Sequence, residues 1–170
     1  MVELIVGKKG KGKTKVLLDK VNGAVKEANG SIVYLDKSTK HMYELNNKVR
    51  LIDVSGFPIK NADEFVGFIC GILSQDHDLE QIYLDSFLKV AKLEDKDITG
   101  TLGQLDEIGK QFNVTFVISV SLDKEEIPEA LHGKIFTDNG DERQSEIEEE
   151  QLEHQRRSAH DEHECPSNGA

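Results

Sequence analysis

Eight consecutive residues near the amino end, Gly7-Lys8-Lys9-Gly10-Lys11-Gly12-Lys13-Thr14, combine backbone freedom with positive charge. Glycines at these positions let the main chain coil so that successive amides converge, and a helix starting near Lys13 adds the positive end of its dipole. Together they make a cradle for phosphate oxygens. The spacing G-x-x-x-x-G-K-[ST] is met at every position. In that pattern Lys13 reaches the β- and γ-phosphates of a nucleotide and the Thr14 hydroxyl ligates Mg²⁺, so ATP and Mg²⁺ are the expected cofactors. Gly7, Lys8, Lys9, Gly10, Lys11, Gly12, Lys13, Thr14 and Lys15 are the expected contacts. The same lysines could instead form a nucleic-acid patch. That reading ranks last, because they are not spread along a face and no aromatic residues are interleaved among them.

A magnesium ion at a phosphate cradle calls for a carboxylate at the end of a neighbouring apolar strand. Three runs end that way: YLD at Asp36, LID at Asp53 and IYLD at Asp85. Asp85 is preferred as the metal-side acid, since it follows Ile82-Tyr83-Leu84 and precedes Ser86 and a polar, turn-rich segment. Asp53 is the rival, because Asp53-Val54-Ser55-Gly56 has the D-x-x-G form of GTPase switches. A guanine-reading N/T-K-x-D motif would be expected late in such a chain, and SVSLDK does not match it, which places ATP ahead of GTP. Hydrolysis also asks for a carboxylate that orients water. Ser86 follows Asp85 where an acid could stand, so Asp36 is the substitute, and Lys13, Asp85 and Asp36 form the candidate catalytic set. Without that acid the chain would be a nucleotide-binding regulatory module rather than an ATPase. Arg50 is the only arginine in residues 1–136, which argues against a kinase with an arginine-rich lid. It reads as a surface residue on an edge strand, with action across a subunit contact as the alternative.

The elements that must hold these residues follow from periodicity. Val2 to Val6 reads as a strand, and Thr14 to Asn29 as a helix with Val16, Leu17, Val21, Ala24, Val25 and Ala28 on one stripe. Strands follow at Ser31 to Leu35, Lys48 to Val54, Gln81 to Phe87, Val114 to Val120 and Lys134 to Phe136. Asn61, with Glu64 three residues on, caps a helix through Phe65, Phe68, Ile69, Ile72 and Leu73. Leu102, Leu105, Ile108 and Phe112 mark another helix, and Ile127 to Leu131 a short one. Strands apolar on both faces and alternating with helices predict an α/β fold, a three-layer α/β/α sandwich around a mostly parallel sheet. Phe65, Phe68, Phe87, Phe112 and Phe116 are expected in the core, and Gly67 and Gly71 to allow close helix packing. His41, His77 and His132 have no partner at a telling spacing. The loops over 36–47 and 89–100 are expected to respond to bound nucleotide.

The chain has 170 residues and a net charge of −11, of which residues 137–170 contribute −8. The division is therefore a domain over 1–136 and an acidic tail over 137–170, with a few helical turns around Ser145 to Arg157 at most. His154, His160, His163 and Cys165 have spacings that metal ligands use, which an acidic tail also produces by chance. Cys70 and Cys165 are expected to be free thiols. No run approaches the length of a membrane span and no secretory leader is evident, so a cytoplasmic protein without membrane insertion is expected.

VGKKGKGKT, the strand IYLDSF and the later VTFVISVSLDKEEIPEALHGKIF together resemble the P-loop NTPases, and more narrowly the RecA-like ATPases. The sequence is also similar to short bacterial ATP-binding proteins labelled twitching-motility-like, although it has no room for the additional domain and the acidic and histidine boxes of true twitching motors. The resemblance spans residues 2 to 136. It implies a core sheet order of 5-1-4-3-2, phosphate and Mg²⁺ binding by Lys13 and Thr14, Asp85 on the metal, and Ser119 as the polar residue that senses the γ-phosphate. A protein partner or a homo-oligomer is compatible with it.

Overall fold

The computed structural model describes residues 1–138. In chain order the elements are β1 (Val2–Val6), α1 (Lys13–Ala24), β2 (Ser31–Asp36), β3 (Val49–Asp53), α2 (Ala62–Gln75), β4 (Leu79–Leu84), α3 (Phe87–Val90), α4 (Thr99–Phe112), β5 (Thr115–Val120) and β6 (Ile135–Asp138). Short 3₁₀ turns follow β3 and separate β5 from β6. The six strands form one sheet in the order β3-β2-β4-β5-β1-β6, with every pairing parallel. The α/β class and the parallel sheet are as expected. With β3 set aside, the remaining five strands renumbered in chain order read 5-1-4-3-2 from the β6 edge only after β4 and β5 are counted as third and fourth, giving 2-3-4-1-5 from the other side. The extra strand sits outside β2 at the edge, where Arg50 is exposed.

Alternation along each strand sends side chains into two cores. Val2, Leu4, Val6, Val33, Leu35, Ile82, Leu84, Phe116, Ile118 and Val120 join one cluster with Phe65, Ile69 and Leu73 of α2 and Leu102 and Leu105 of α4. Ile5, Ile32, Tyr34, Tyr83 and Val117 join the other with Leu17, Leu18 and Val21 of α1. Both faces are covered by helices, which is why the strands read as unbroken apolar runs.

Several expected boundaries shift. The first helix ends at Ala24 rather than Asn29, because its bonds tighten to Lys26 N–H→Gly23 O (3.1 Å) and Glu27 N–H→Ala24 O (3.1 Å), although Val25 and Ala28 still pack on the core. The fourth strand stops at Leu84, since Ser86 adopts a left-handed conformation (φ 54°) and Phe87 starts α3. Asn61 does cap α2, its side chain accepting from the Glu64 amide at 2.9 Å. Phe65, Phe87 and Phe116 are buried, Phe68 is half-buried, and Phe112 is 52% exposed. That last residue lies on the final turn of α4, which the chain leaves through a left-handed Asn113 straight into β5, so no described element covers it. Gly67 and Gly71 do not mediate close packing: a Cβ at either would meet nothing within 4 Å. Cys70 is a free, exposed thiol. Cys165, the tail histidines and the helical turns expected near Ser145 to Arg157 lie outside the described residues.

Candidate functional site

The parallel sheet gathers its strand ends along one edge, and the chemistry-bearing residues collect there. Gly7 (φ 144°), Gly10 (φ 86°) and Gly12 (φ 78°) all occupy the positive-φ region that other residues rarely enter. These torsions wrap residues 7–12 into a tight turn between β1 and α1. The turn is stitched to the segment after β5 by Gly7 N–H→Leu122 O at 2.8 Å, and Lys8 pairs with Asp123 at 2.8 Å. No side chain caps the amino end of α1, so its first amides are left for another acceptor.

Lys13 is the first residue of that helix and is only 6% exposed. Its ammonium donates to the main-chain carbonyl of Lys8 at 2.8 Å, spanning the turn from inside. Burial pushes its pKa below the usual lysine value, while the charges of Asp85 and Asp123 oppose that shift. A buried lysine with a carbonyl for its hydrogen-bond acceptor is poised to receive an anion.

Asp85 stands at the end of β4 and is 4% exposed. Four contacts fix it. Its Oδ1 accepts from the Ser119 hydroxyl (2.7 Å) and the Ser86 amide (2.8 Å), its Oδ2 accepts from the Tyr34 hydroxyl (3.1 Å), and its own N–H donates to Leu35 O (2.9 Å). Burial, then the charges of Asp85 and Asp36, push the Tyr34 phenol well above its usual pKa, so it remains a donor. The left-handed Ser86 is what turns its amide back onto Asp85 and Ser119, a local strain of the kind found at sites.

Asp36 ends β2, the strand adjacent to β4, and is 2% exposed. Its Oδ1 accepts from the Lys37 amide at 2.6 Å. Burial raises its pKa above the ordinary carboxylate value and the charge of Asp85 raises it further. Asp53 is paired in register with Asp36 but one strand farther out, and its Oδ1 accepts from both the amide and hydroxyl of Ser55 (3.0 and 2.6 Å). By strand spacing Asp85 lies about 10 Å from the β1 end and Asp53 about 19 Å. Asp85 is therefore nearer than Asp53 to the β1 end, and Asp53 is a turn cap.

These elements wall a cavity of about 860 Å³ lined by Lys9, Gly10, Gly12, Lys13, Thr14, Asp85 and Ser119 among others. The structure thus brings together the turn, the helix start, Asp85 and Ser119, with Asp36 beside them. Lys8 is drawn to Asp123 instead, and Lys15 is on the exposed side of α1. The cavity also takes Lys37, Lys40 and His41 from the loop after β2, and Lys89, Glu94 and Asp95 from the segment after β4. His41 needs correcting: it does have partners, since one ligand atom each from Asp36, His41 and Asp85 lie within 4.8 Å of one another. Its neighbours come from two strands, which linear spacing cannot reveal. Tyr34 is a second omission, hidden because a tyrosine inside an apolar strand reads as core.

No protein-family model and no curated protein matches the sequence. No helix among the described residues is long and apolar enough to cross a membrane.

Proposed function

We propose that this chain is a Mg²⁺-dependent ATP-binding protein of the P-loop, RecA-like kind, a three-layer sandwich acting as a small ATPase. One observation carries the reading: the nearly buried Lys13, held under a positive-φ glycine turn at an uncapped helix start, in a cavity that Asp85 also lines. A cavity of about 860 Å³ suits a nucleotide, and the sheet order with β3 removed fits the class.

The residues present suit ATP and Mg²⁺. The turn amides and Lys13 would hold the β- and γ-phosphates, replacing the Lys8 carbonyl as the lysine's partner. Thr14 and Asp85 would hold the ion, which supplies charge neutralisation on the phosphates. Tyr34, Ser86 and Ser119 keep Asp85 in one orientation, and Ser119 bridges it toward the cavity. Asp36, on the strand next to β4, is the carboxylate positioned to orient water, and its raised pKa makes it a better proton acceptor than an ordinary aspartate. Lys37, Lys40 and Lys89 of the two cavity loops would supply positive charge that arginines supply in other phosphoryl-transfer sites. A non-hydrolysing regulatory module is the alternative, favoured by Ser86 following Asp85. The position of Asp53 at the far edge disfavours a GTPase.

Isothermal titration of the full chain with ATP and excess Mg²⁺ tests the proposal. Saturable heat is expected, and Lys13→Ala is expected to weaken binding by at least about 100-fold while leaving the far-ultraviolet spectrum unchanged. Absence of heat with both ATP and GTP from a folded chain overturns it. Phosphate release indistinguishable between wild type and Lys13→Ala, in a chain that binds ATP, selects the regulatory module.

A further inference from the structure

The nucleotide reading leaves one histidine unused, on the turn that follows β2. We propose that, in the nucleotide-free chain, Asp36, His41 and Asp85 bind one transition-metal dication of the Zn²⁺ or Co²⁺ kind, at a site that shares Asp85 with the magnesium of the nucleotide reading. One ligand atom from each of the three already lies within 4.8 Å of the others.

The donor set selects the metal. Imidazole suits zinc, cobalt and their neighbours, whereas Mg²⁺ takes oxygen ligands almost exclusively. His41 is also held as metal-binding histidines are: its Nδ1 is 2.8 Å from Glu44 Oε1, a carboxylate outside the cluster, which leaves Nε2 as the coordinating nitrogen. Burial makes the independent case. Asp36 and Asp85 are 2% and 4% exposed, with the charge of Lys37 acting on the first and that of Lys13 on the second. Asp36 engages the Lys37 amide through Oδ1, which leaves Oδ2 for a further ligand. Two buried carboxylates side by side are costly, and a dication between them removes that cost.

The geometry needs little change. Ligand atoms around a tetrahedral ion with bonds of about 2.1 Å stand about 3.4 Å apart, so the triad must tighten by roughly an ångström. His41 can supply that movement, because it lies on a turn flanked by exposed residues, while Asp85 is fixed by Ser119, Ser86 and Tyr34.

The full chain, stripped with chelator and free of nucleotide, is titrated with Co²⁺ and followed by visible absorption. Wild type is expected to develop a ligand-field band with its first equivalent and to keep it in a large excess of Mg²⁺. His41→Ala is expected to lose that equivalent, at least about 100-fold in affinity, and Glu44→Gln to weaken it by about ten-fold. Histidines of residues 139–170 are present in every variant, so they cancel in the comparison. The same band and affinity in wild type, His41→Ala and Glu44→Gln overturns the proposal, as does displacement of Co²⁺ by an equal concentration of Mg²⁺. Because no nucleotide is present, a chain that binds Co²⁺ but ignores ATP sinks the nucleotide reading and leaves this one standing.

Discussion

Lys13 and Asp36 are both charged groups taken out of water, and their surroundings shift them in opposite senses. The lysine loses proton affinity by burial and the aspartate gains it. If Asp36 orients the attacking water, Asp36→Asn should retain the heat of Mg-ATP binding while phosphate release falls by about 100-fold or more. Equal release by the two proteins would remove Asp36 from the chemistry. Lys13, Asp85 and Asp36 can be picked out in the sequence because each stands at a strand end or a glycine turn, whereas Ser119, inside β5, is reached only through the family resemblance. Tyr34 and His41 are not legible. One is disguised by the apolar run around it, and the other depends on β2 and β4 being neighbours, a fact of sheet order.

At the scale of elements, α2 and the start of β2 show opposite glycines. Gly67 sits in the interior of α2, where an added Cβ would meet nothing within 4 Å, so its only effect is the entropic cost of glycine in a helix. Gly67→Ala should raise stability by about 0.5–1 kcal/mol in urea unfolding, and a loss instead would mean the site is packed after all. Gly30 is the reverse: a Cβ there would lie 1.9 Å from Asp78 O, the carbonyl to which Ser31 N–H donates at 2.8 Å as β2 enters the sheet. Gly30→Ala should cost about 3 kcal/mol or more, because backbone rather than a flexible side chain must move. Strands, helices and the parallel class are readable from periodicity, and Arg50 already marks β3 as an edge strand. Which strand it joins is not readable, because LID carries no pairing signal and only the register of Ile32 to Asp36 with Val49 to Asp53 places it outside β2.

The molecule as a whole is fastened at the opposite edge of the sheet by Asp106. From α4 it accepts the Val2 amide at 3.1 Å and pairs with Lys110 (2.8 Å) and with Lys134, just before β6 (3.0 Å). Burial alone would raise its pKa, but the hydrogen bonds and charges of the two lysines bring it down to about 2. A folded-state pKa below the unfolded one stabilises the protein at neutral pH and ceases to do so as pH falls from 3.8 toward about 2. Asp106→Asn, which keeps an acceptor for Val2, should therefore cost about 1–2 kcal/mol at pH 7, discounted for the exposed lysines, with the deficit shrinking through that acid window. A deficit constant across it would assign the loss to packing.

β1 lies between β5 and β6, with Val2 to Val6 in register with Phe116 to Val120. The glycine turn and β1 are thus synthesised before β5 and β6, the strands that seat them. Until β5 and β6 emerge, VELIV lacks both of its strand partners, which exposes nascent chains halted before Thr115 to chaperone capture and to mispairing.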